Sequence, residues 1–360
     1  LRRSADGTGD FESACFEEIA VKFTKKLILK KVTKKMKSYW MQTVGNKTVL
    51  EMRDIERPTP GPKQVLVRLR AASLNRGEFV IGHGLHKGGQ ASAIGMEGAG
   101  VIEALGAEVK GLNVGDKVMG RCRGAFAEYV AMDEVEATHM PATLSFEQAA
   151  SVPLTFLVVH DMLSLQGKLQ PNEWLLIHGV SSGVGVAALQ TAKAMGAKVI
   201  GTSGSPEKLA RLKEFGLDVP LCLRGSGFEE TVMKVTDGKG ANLVVDTVGG
   251  SVFAESIRCM AFEGRFAMVG YVDGILSAEL DLLALHSKRL RLFGVSNKLR
   301  SPAQRSEFLP EFKAEVIPAI ADGRIKPLVD QAFAFEQLEQ AKEMMETNKH
   351  VGKIVLRMPV

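Results

Sequence analysis

Residues 174–207 read WLLIHGVSSGVGVAALQTAKAMGAKVIGTSGSPE, and their order decides the fold. Trp174 to His178 is a short apolar run of the kind that fills a parallel strand buried on both faces. Gly183 and Gly185 follow at once. Val186, Leu189, Ala192 and Met195 then fall on one helical face, Gly196 stops the helix, and residues 198–201 start a second strand. Such a unit aims backbone N–H groups and the positive end of a helix dipole at a pyrophosphate, and glycine lets phosphate approach the backbone. A strict GxGxxG would need glycine at Val180 and Ser182. An ordinary strand–helix–strand crossover with a tight turn is therefore the competing reading.

Ser182, Gly183, Val184 and Gly185, preceded by Ile177 and His178, resemble the cofactor turn of the medium-chain dehydrogenase/reductase superfamily, in its zinc-less quinone oxidoreductase branch. Other segments agree in order and spacing: PTPGPKQVLV (58–67), ASLNRGE (72–78), GMEGAGV (95–101), GDKV (115–118), GAFAEYV (124–130) and GKIVL (352–356). The resemblance covers about residues 37–360. It implies an α/β chain of two domains, a GroES-like partly open β-barrel and a Rossmann doubly wound six-stranded parallel sheet.

Composition is that of an ordinary globular protein, with 45% hydrophobic and 24% charged residues. No stretch offers ~18 uninterrupted apolar residues, so no membrane span is expected. Cys15, Cys122, Cys222 and Cys259 form no CxxC pair and suit a reducing, cytoplasmic setting. Charge is uneven. Residues 1–37 hold ten of the 46 basic and five of the 41 acidic residues, so the remainder carries 36 of each. The basic run FTKKLILKKVTKKMK (23–37) reads as a mobile arm, a surface helix or a targeting segment, and a solvated appendage is the plain alternative to binding RNA or a membrane. Asp6, Asp10, Glu12, Glu17 and Glu18 argue against a transit peptide. We expect residues 1–36 to be an extension upstream of the family-like part, a leftover or a mis-called start. Residues 37–157 with 297–360 then form the catalytic domain, and 158–296 the cofactor domain.

Short β-prone runs around 66–74, 98–105 and 127–131 fit the barrel. Residues 141–163 look helical. Six strands are expected at 174–178, 198–202, 219–223, 242–246, 266–270 and 291–295, with returning helices near 307–321 and 336–348.

In zinc-dependent relatives a cysteine and a Gly-His-Glu element supply catalytic ligands, and a four-cysteine lobe holds a structural ion. Here Asn75 stands for that cysteine, Met96 precedes Glu97 in place of the histidine, and no cysteine cluster exists. No metal is expected at either place; His83 and His86 have an HxxH spacing but no obvious third ligand. Without a Lewis acid the chemistry moves to acceptors that are already electrophilic, namely quinones and α,β-unsaturated carbonyls. Asn75 is the first candidate donor to the oxygen that gains charge, by family position and because its amide can donate. Tyr271 is the second, against the reading of a buried Tyr that only satisfies its hydroxyl. Val80 and His86 stand near places often held by tyrosines, Val158 replaces a threonine beside the nicotinamide, and Leu223 replaces an adenosine-lining tyrosine, so the cleft departs from the family pattern.

The end of the second strand bears on the cofactor. A carboxylate there binds a ribose 2′-hydroxyl and repels a 2′-phosphate. This chain has Thr202, Ser203, Gly204 and Ser205, then Glu207 and Lys208. Small hydroxyls plus a cation favour NADPH, and Lys208 matches the family position that faces the phosphate; Arg224 and Lys193 could add positive potential. Thr247, Val248, Gly270, Phe293 and Val295 complete the cofactor lining that the resemblance implies. The expected function is zinc-independent, NADPH-dependent reduction of a quinone or enone. A cofactor-binding protein acting through its basic arm on RNA or a membrane is the alternative, and a zinc alcohol dehydrogenase is nearly excluded by its missing ligands. A homodimer through the edge of the Rossmann sheet, at the sixth strand, is the expected assembly, with no nucleic-acid partner for the folded body.

Overall fold

A computed structural model describes residues 34–44, 47–79, 90–297 and 299–359. His83, His86, Val80 and the first 33 residues lie outside the described residues.

The chain enters on an antiparallel hairpin, β1 (Lys35–Val44) and β2 (Lys47–Glu56), with β4 (Ser92–Ala93) against β1. The hairpin takes in Lys35 and Met36, earlier than the extension was expected to end: Lys35 pairs with Glu56, and the Arg57 amide donates to the Lys34 carbonyl at 2.9 Å. Next comes a mostly antiparallel sheet. Its order is β15 (Val329–Ala334), β16 (Lys353–Arg357), β3 (Gln64–Ser73), β5 (Glu97–Leu105), β6 (Lys117–Arg121) and β8 (Thr138–His139), with β7 (Tyr129–Asp133) also on β3. This is the partly open barrel.

The second half is a parallel sheet of β9 (Trp174–His178), β10 (Lys198–Ser203), β11 (Val219–Cys222), β12 (Ala241–Asp246), β13 (Met260–Met268) and β14 (Arg291–Gly294). Its spatial order is β11, β10, β9, β12, β13, β14, the doubly wound order of a Rossmann sheet, in which the chain reverses direction beside β9. Side chains of β9 alternate between its faces. Leu175 and Ile177 join Val186, Leu189 and Val199 in one core, while Leu176 joins Ile200, Val244 and Phe266 in another. Burial on both faces is what the unbroken apolar run WLLIH requires, each such side chain contributing about 1.5–3 kcal/mol.

The first of these cores also holds Ala71, Ala99 and Met119 of the barrel with Phe156 and Phe312. The helix Pro153–His160 is thus wedged between sheet and barrel, and the helix Leu309–Ala321 packs beside it. No helix among the described residues is long and apolar enough to cross a membrane.

Candidate functional site

The cofactor turn is built by three glycines that have no room for a side chain. Gly179 leaves β9 at φ +75°, and a Cβ there would lie 2.5 Å from the Thr247 hydroxyl. A Cβ on Gly185 would lie 2.4 Å from the Gly179 carbonyl, and one on Gly183 would lie 2.8 Å from Cδ of Lys353. Ser182 caps the helix Gly183–Ala194, its hydroxyl accepting from the Gly185 amide at 3.0 Å. Capping leaves the first amides of that helix, including Gly183 and Val184, pointing out along its axis without intrahelical acceptors. An anion fits there.

The C-terminal ends of β9, β10 and β12 are level, with His178 beside both Thr202 and Asp246. His178 is fully buried between the Thr202 hydroxyl at 3.3 Å and the Ser256 hydroxyl at 2.9 Å, and burial pushes its pKa down to about 3, so it is neutral. Burial pushes Asp246 up to about 6, against two amides, those of Gly249 and Val248, that favour its charge. The Thr247 hydroxyl donates to the His178 carbonyl at 2.8 Å, which closes the floor of the crevice.

Past β10 the chain offers no carboxylate from the strand end itself. The Ser203 hydroxyl meets that of Ser181 at 3.1 Å. Gly204 is bare because Arg224 lies over it, with Nε 2.3 Å from where a Cβ would be. Ser205 caps the helix Pro206–Leu212 and donates to Glu207 at 2.7 Å. Lys208 is not a solvated lysine. Its ammonium donates to the Asn348 carbonyl and, at 2.8 Å, to that of His350. Burial lowers its pKa; Asp330 opposes this, and Arg224 and Arg211 lower it further. Three cations therefore share this corner, and Lys208 keeps a third N–H. Lys193 does not join them: it is turned to Asp218 at 2.8 Å and to the Ala197 carbonyl at 3.0 Å.

Across the crevice lies a cluster that sequence reasoning missed apart from Asn75. The Asn75 amide gives one hydrogen to Glu78 at 2.8 Å and one to Glu97 at 3.0 Å, and its carbonyl accepts from Lys353 at 2.7 Å. Both hydrogens expected for a substrate are therefore already bonded. Glu97 is fully buried and also accepts from the Ser73 hydroxyl at 2.5 Å and the Leu154 amide at 2.7 Å. The Lys353 ammonium uses its other two donors on Glu97 at 3.0 Å and Thr155 at 3.1 Å. Burial pushes Glu78 up to about 8; its Asn75 bond and Lys353 oppose this and Glu97 adds to it. Its Oε2 is buried without a hydrogen-bond partner.

These donors do not suit a catalytic zinc. The atoms that would face the metal are already bonded to an ammonium, and Met96 offers no strong ligand. Elsewhere, His160, Glu311 and Glu315 bring ligand-type atoms together, with His160 of the wedged helix bonded at 3.0 Å to Glu315 of the helix Leu309–Ala321. Of the other expected positions, Gly270 and Phe293 are half-buried, Val295 is buried, and Val158 and Leu223 are half-buried. Tyr271 is 42% exposed on the turn after β13, so it is not the buried tyrosine considered as its alternative.

With this geometry in hand, comparison with known proteins is consistent throughout. Residues 61–142 match the family described as alcohol dehydrogenase GroES-like domain, and residues 183–313 the family described as zinc-binding dehydrogenase. The chain is 33% identical over 316 residues to a quinone oxidoreductase of Pseudomonas aeruginosa, covering 87% of this chain and 96% of that one. It is 31% identical over 319 residues, 88% of its length, to a phenolphthiocerol/phthiocerol polyketide synthase of Mycobacterium tuberculosis, of which it spans only 14%. Among solved structures, the Escherichia coli quinone oxidoreductase complexed with NADPH superposes with a TM-score of 0.80 at 28% identity, over 89% of this chain and 99% of that one.

Proposed function

The chain belongs to the medium-chain dehydrogenase/reductase superfamily, alongside quinone oxidoreductases, and from that membership we propose that it is a zinc-independent reductase using NADPH to reduce a quinone or an α,β-unsaturated carbonyl. The observation that carries the reading is the corner beyond β10. A bare Gly204 under Arg224 and the spare N–H of Lys208, beside Ser203, suit a 2′-phosphate, with no carboxylate at the strand end to repel it; the Thr202 hydroxyl is turned to His178 and Gly179, and that of Ser205 to Glu207.

When bound, NADPH supplies the hydride. Water would supply the proton that completes the quinol or the saturated carbonyl, and the protein's own residues would bind and orient the reactants. The free amides of Gly183 and Val184 would receive the pyrophosphate, with Ser182 and Gly185 shaping the turn that presents them, and Thr247, Val248, Gly270, Phe293 and Val295 would wall the nicotinamide end. Asn75 redirects one of its bonded hydrogens from Glu78 to the oxygen that gains charge in the substrate, and Tyr271 stands at the mouth as a second donor. Lys353 occupies the ligand atoms a zinc ion would need, which supports acceptors that react without a Lewis acid.

Initial rates with NADPH and NADH against a small quinone panel, an enone and a primary alcohol, in chelator, test this. Quinone or enone turnover preferring NADPH is expected. Removing Asn75 (Asn75→Ala) should cut turnover about tenfold to a hundredfold while NADPH binding changes less. Robust metal-free alcohol oxidation, or no turnover of any quinone or enone, would overturn the proposal.

A further inference from the structure

We propose that Lys353 is the positioning residue of this site: its ammonium ties the Asn75 segment to β5 and the wedged helix while its stem packs under the cofactor turn, where zinc-dependent relatives would use a metal. The inference rests on the NADPH reading of that turn.

Lys353 touches every part that must be in register. Its three donors go to three different places: Asn75 just after β3, Glu97 at the start of β5, and Thr155 on the wedged helix Pro153–His160. No donor is left over. Its stem packs under Gly183, the first residue of the cofactor helix, closely enough that a single added methyl would collide with Cδ. The preceding residue, Gly352, donates to the Ser181 carbonyl of the turn at 3.0 Å. That glycine sits at φ +80°, and a Cβ there would lie 2.5 Å from the Leu328 carbonyl, so the chain can pass only this way.

Two consequences follow from the charges. Lys353 and Glu97 neutralise each other inside the protein, so the pair is a link of fixed geometry rather than a source of net field. By holding the Asn75 carbonyl, Lys353 also fixes which way the amide faces, since an asparagine amide can otherwise turn over. Loss of the ammonium would let Asn75 rotate and would leave Glu97 buried with its charge unpaired. The link has no sequence-local origin, because Lys353 lies 278 residues from Asn75.

The test separates positioning from simple support. Lys353→Met alone leaves a buried carboxylate unpaired and is expected to be less stable. The double variant Lys353→Met/Glu97→Gln removes both charges and should melt close to the wild type. If Lys353 positions the site, this stable double variant will still bind NADPH about fivefold or more weakly, read by nicotinamide fluorescence, and will lose about tenfold or more in kcat with a smaller change in quinone KM. A stable double variant with wild-type NADPH affinity and wild-type kcat would overturn the proposal. A wild-type protein that binds NADPH but turns over no quinone or enone would sink the functional reading instead, and the NADPH titration would still decide the role of Lys353.

Discussion

Glu78 carries a carboxyl whose burial disfavours its charged form. Its carboxyl is buried beside Glu97, accepts from the Asn75 amide, and keeps its proton to about pH 8 rather than its ordinary 4.5. Between those two values the folded chain holds a proton that the unfolded chain has released. Stability from this group is therefore greatest at or below about 4.5 and falls as pH rises towards 8. Melting temperature measured from pH 5 to 8 should decline in the wild type, and Glu78→Gln, which has no such proton, should flatten that slope. A variant with the same slope as the wild type would place the titration elsewhere. Lys208 invites a second test at this scale. A charged hydrogen bond is worth ~1.5–3 kcal/mol, so Lys208→Ala should weaken NADPH about tenfold or more and NADH much less. Equal weakening of both would mean that Lys208 serves only to hold the carbonyls of Asn348 and His350.

At the scale of elements, what was legible in the sequence was whatever depends on neighbours along the chain. The strand WLLIH, the capping Ser182 and the helical face of Val186, Leu189 and Ala192 are all local, and each lies where its pattern puts it. Five of the six parallel strands do so to within about a residue, each a short apolar run ending in turn residues, whereas β13 starts at Met260 rather than 266, because Glu263 and Arg265 break the apolar run that marks its start. The glycine rule misleads for a physical reason. The positions that cannot bear a Cβ are Gly179, Gly183 and Gly185, a spacing set by contact with Thr247, Lys353 and the turn's own carbonyl, not by a fixed motif. The hairpin of β1 and β2 was hidden by lysines, since a run of like charges masks the alternation that buries Met36 and Ser38. Lys353 and Glu78 were each inside a quoted motif, yet nothing local marks them. Their roles come from contacts made only when the last strand reaches β3 and the wedged helix. Lys193 failed as a cofactor cation for the same reason: Asp218, 25 residues away, had already claimed it.

At the scale of the whole molecule, the parallel sheet ends on β11 at one side and on β14 at the other. Among the described residues β14 pairs only with β13, and its other side presents backbone groups to another strand. Large apolar side chains are exposed on this strand, at Leu292, and in the segment of chain between β13 and β14: Leu276 is 76% and Leu283 75% exposed, with Val272, Ile275 and Leu282 exposed as well. A monomer rarely shows a contiguous apolar patch of more than a few hundred Å². The occupant that satisfies both features at once is a second copy, because a two-fold axis beside β14 would pair like strand with like strand and bring the two patches together. Burying those leucines would contribute about 1.5–3 kcal/mol each if fully covered. We therefore expect the wild type to travel as a dimer in light scattering behind size exclusion at micromolar concentration. Leu292→Lys with Leu283→Glu places charge on the edge strand and in the patch, and should give a folded monomer whose melting temperature depends less on protein concentration. Because the cofactor corner and the Lys353 cluster are assembled within one chain, that monomer should retain NADPH binding. A wild type that is monomeric at every concentration, or a double variant that still dimerises, would move the contact away from β14.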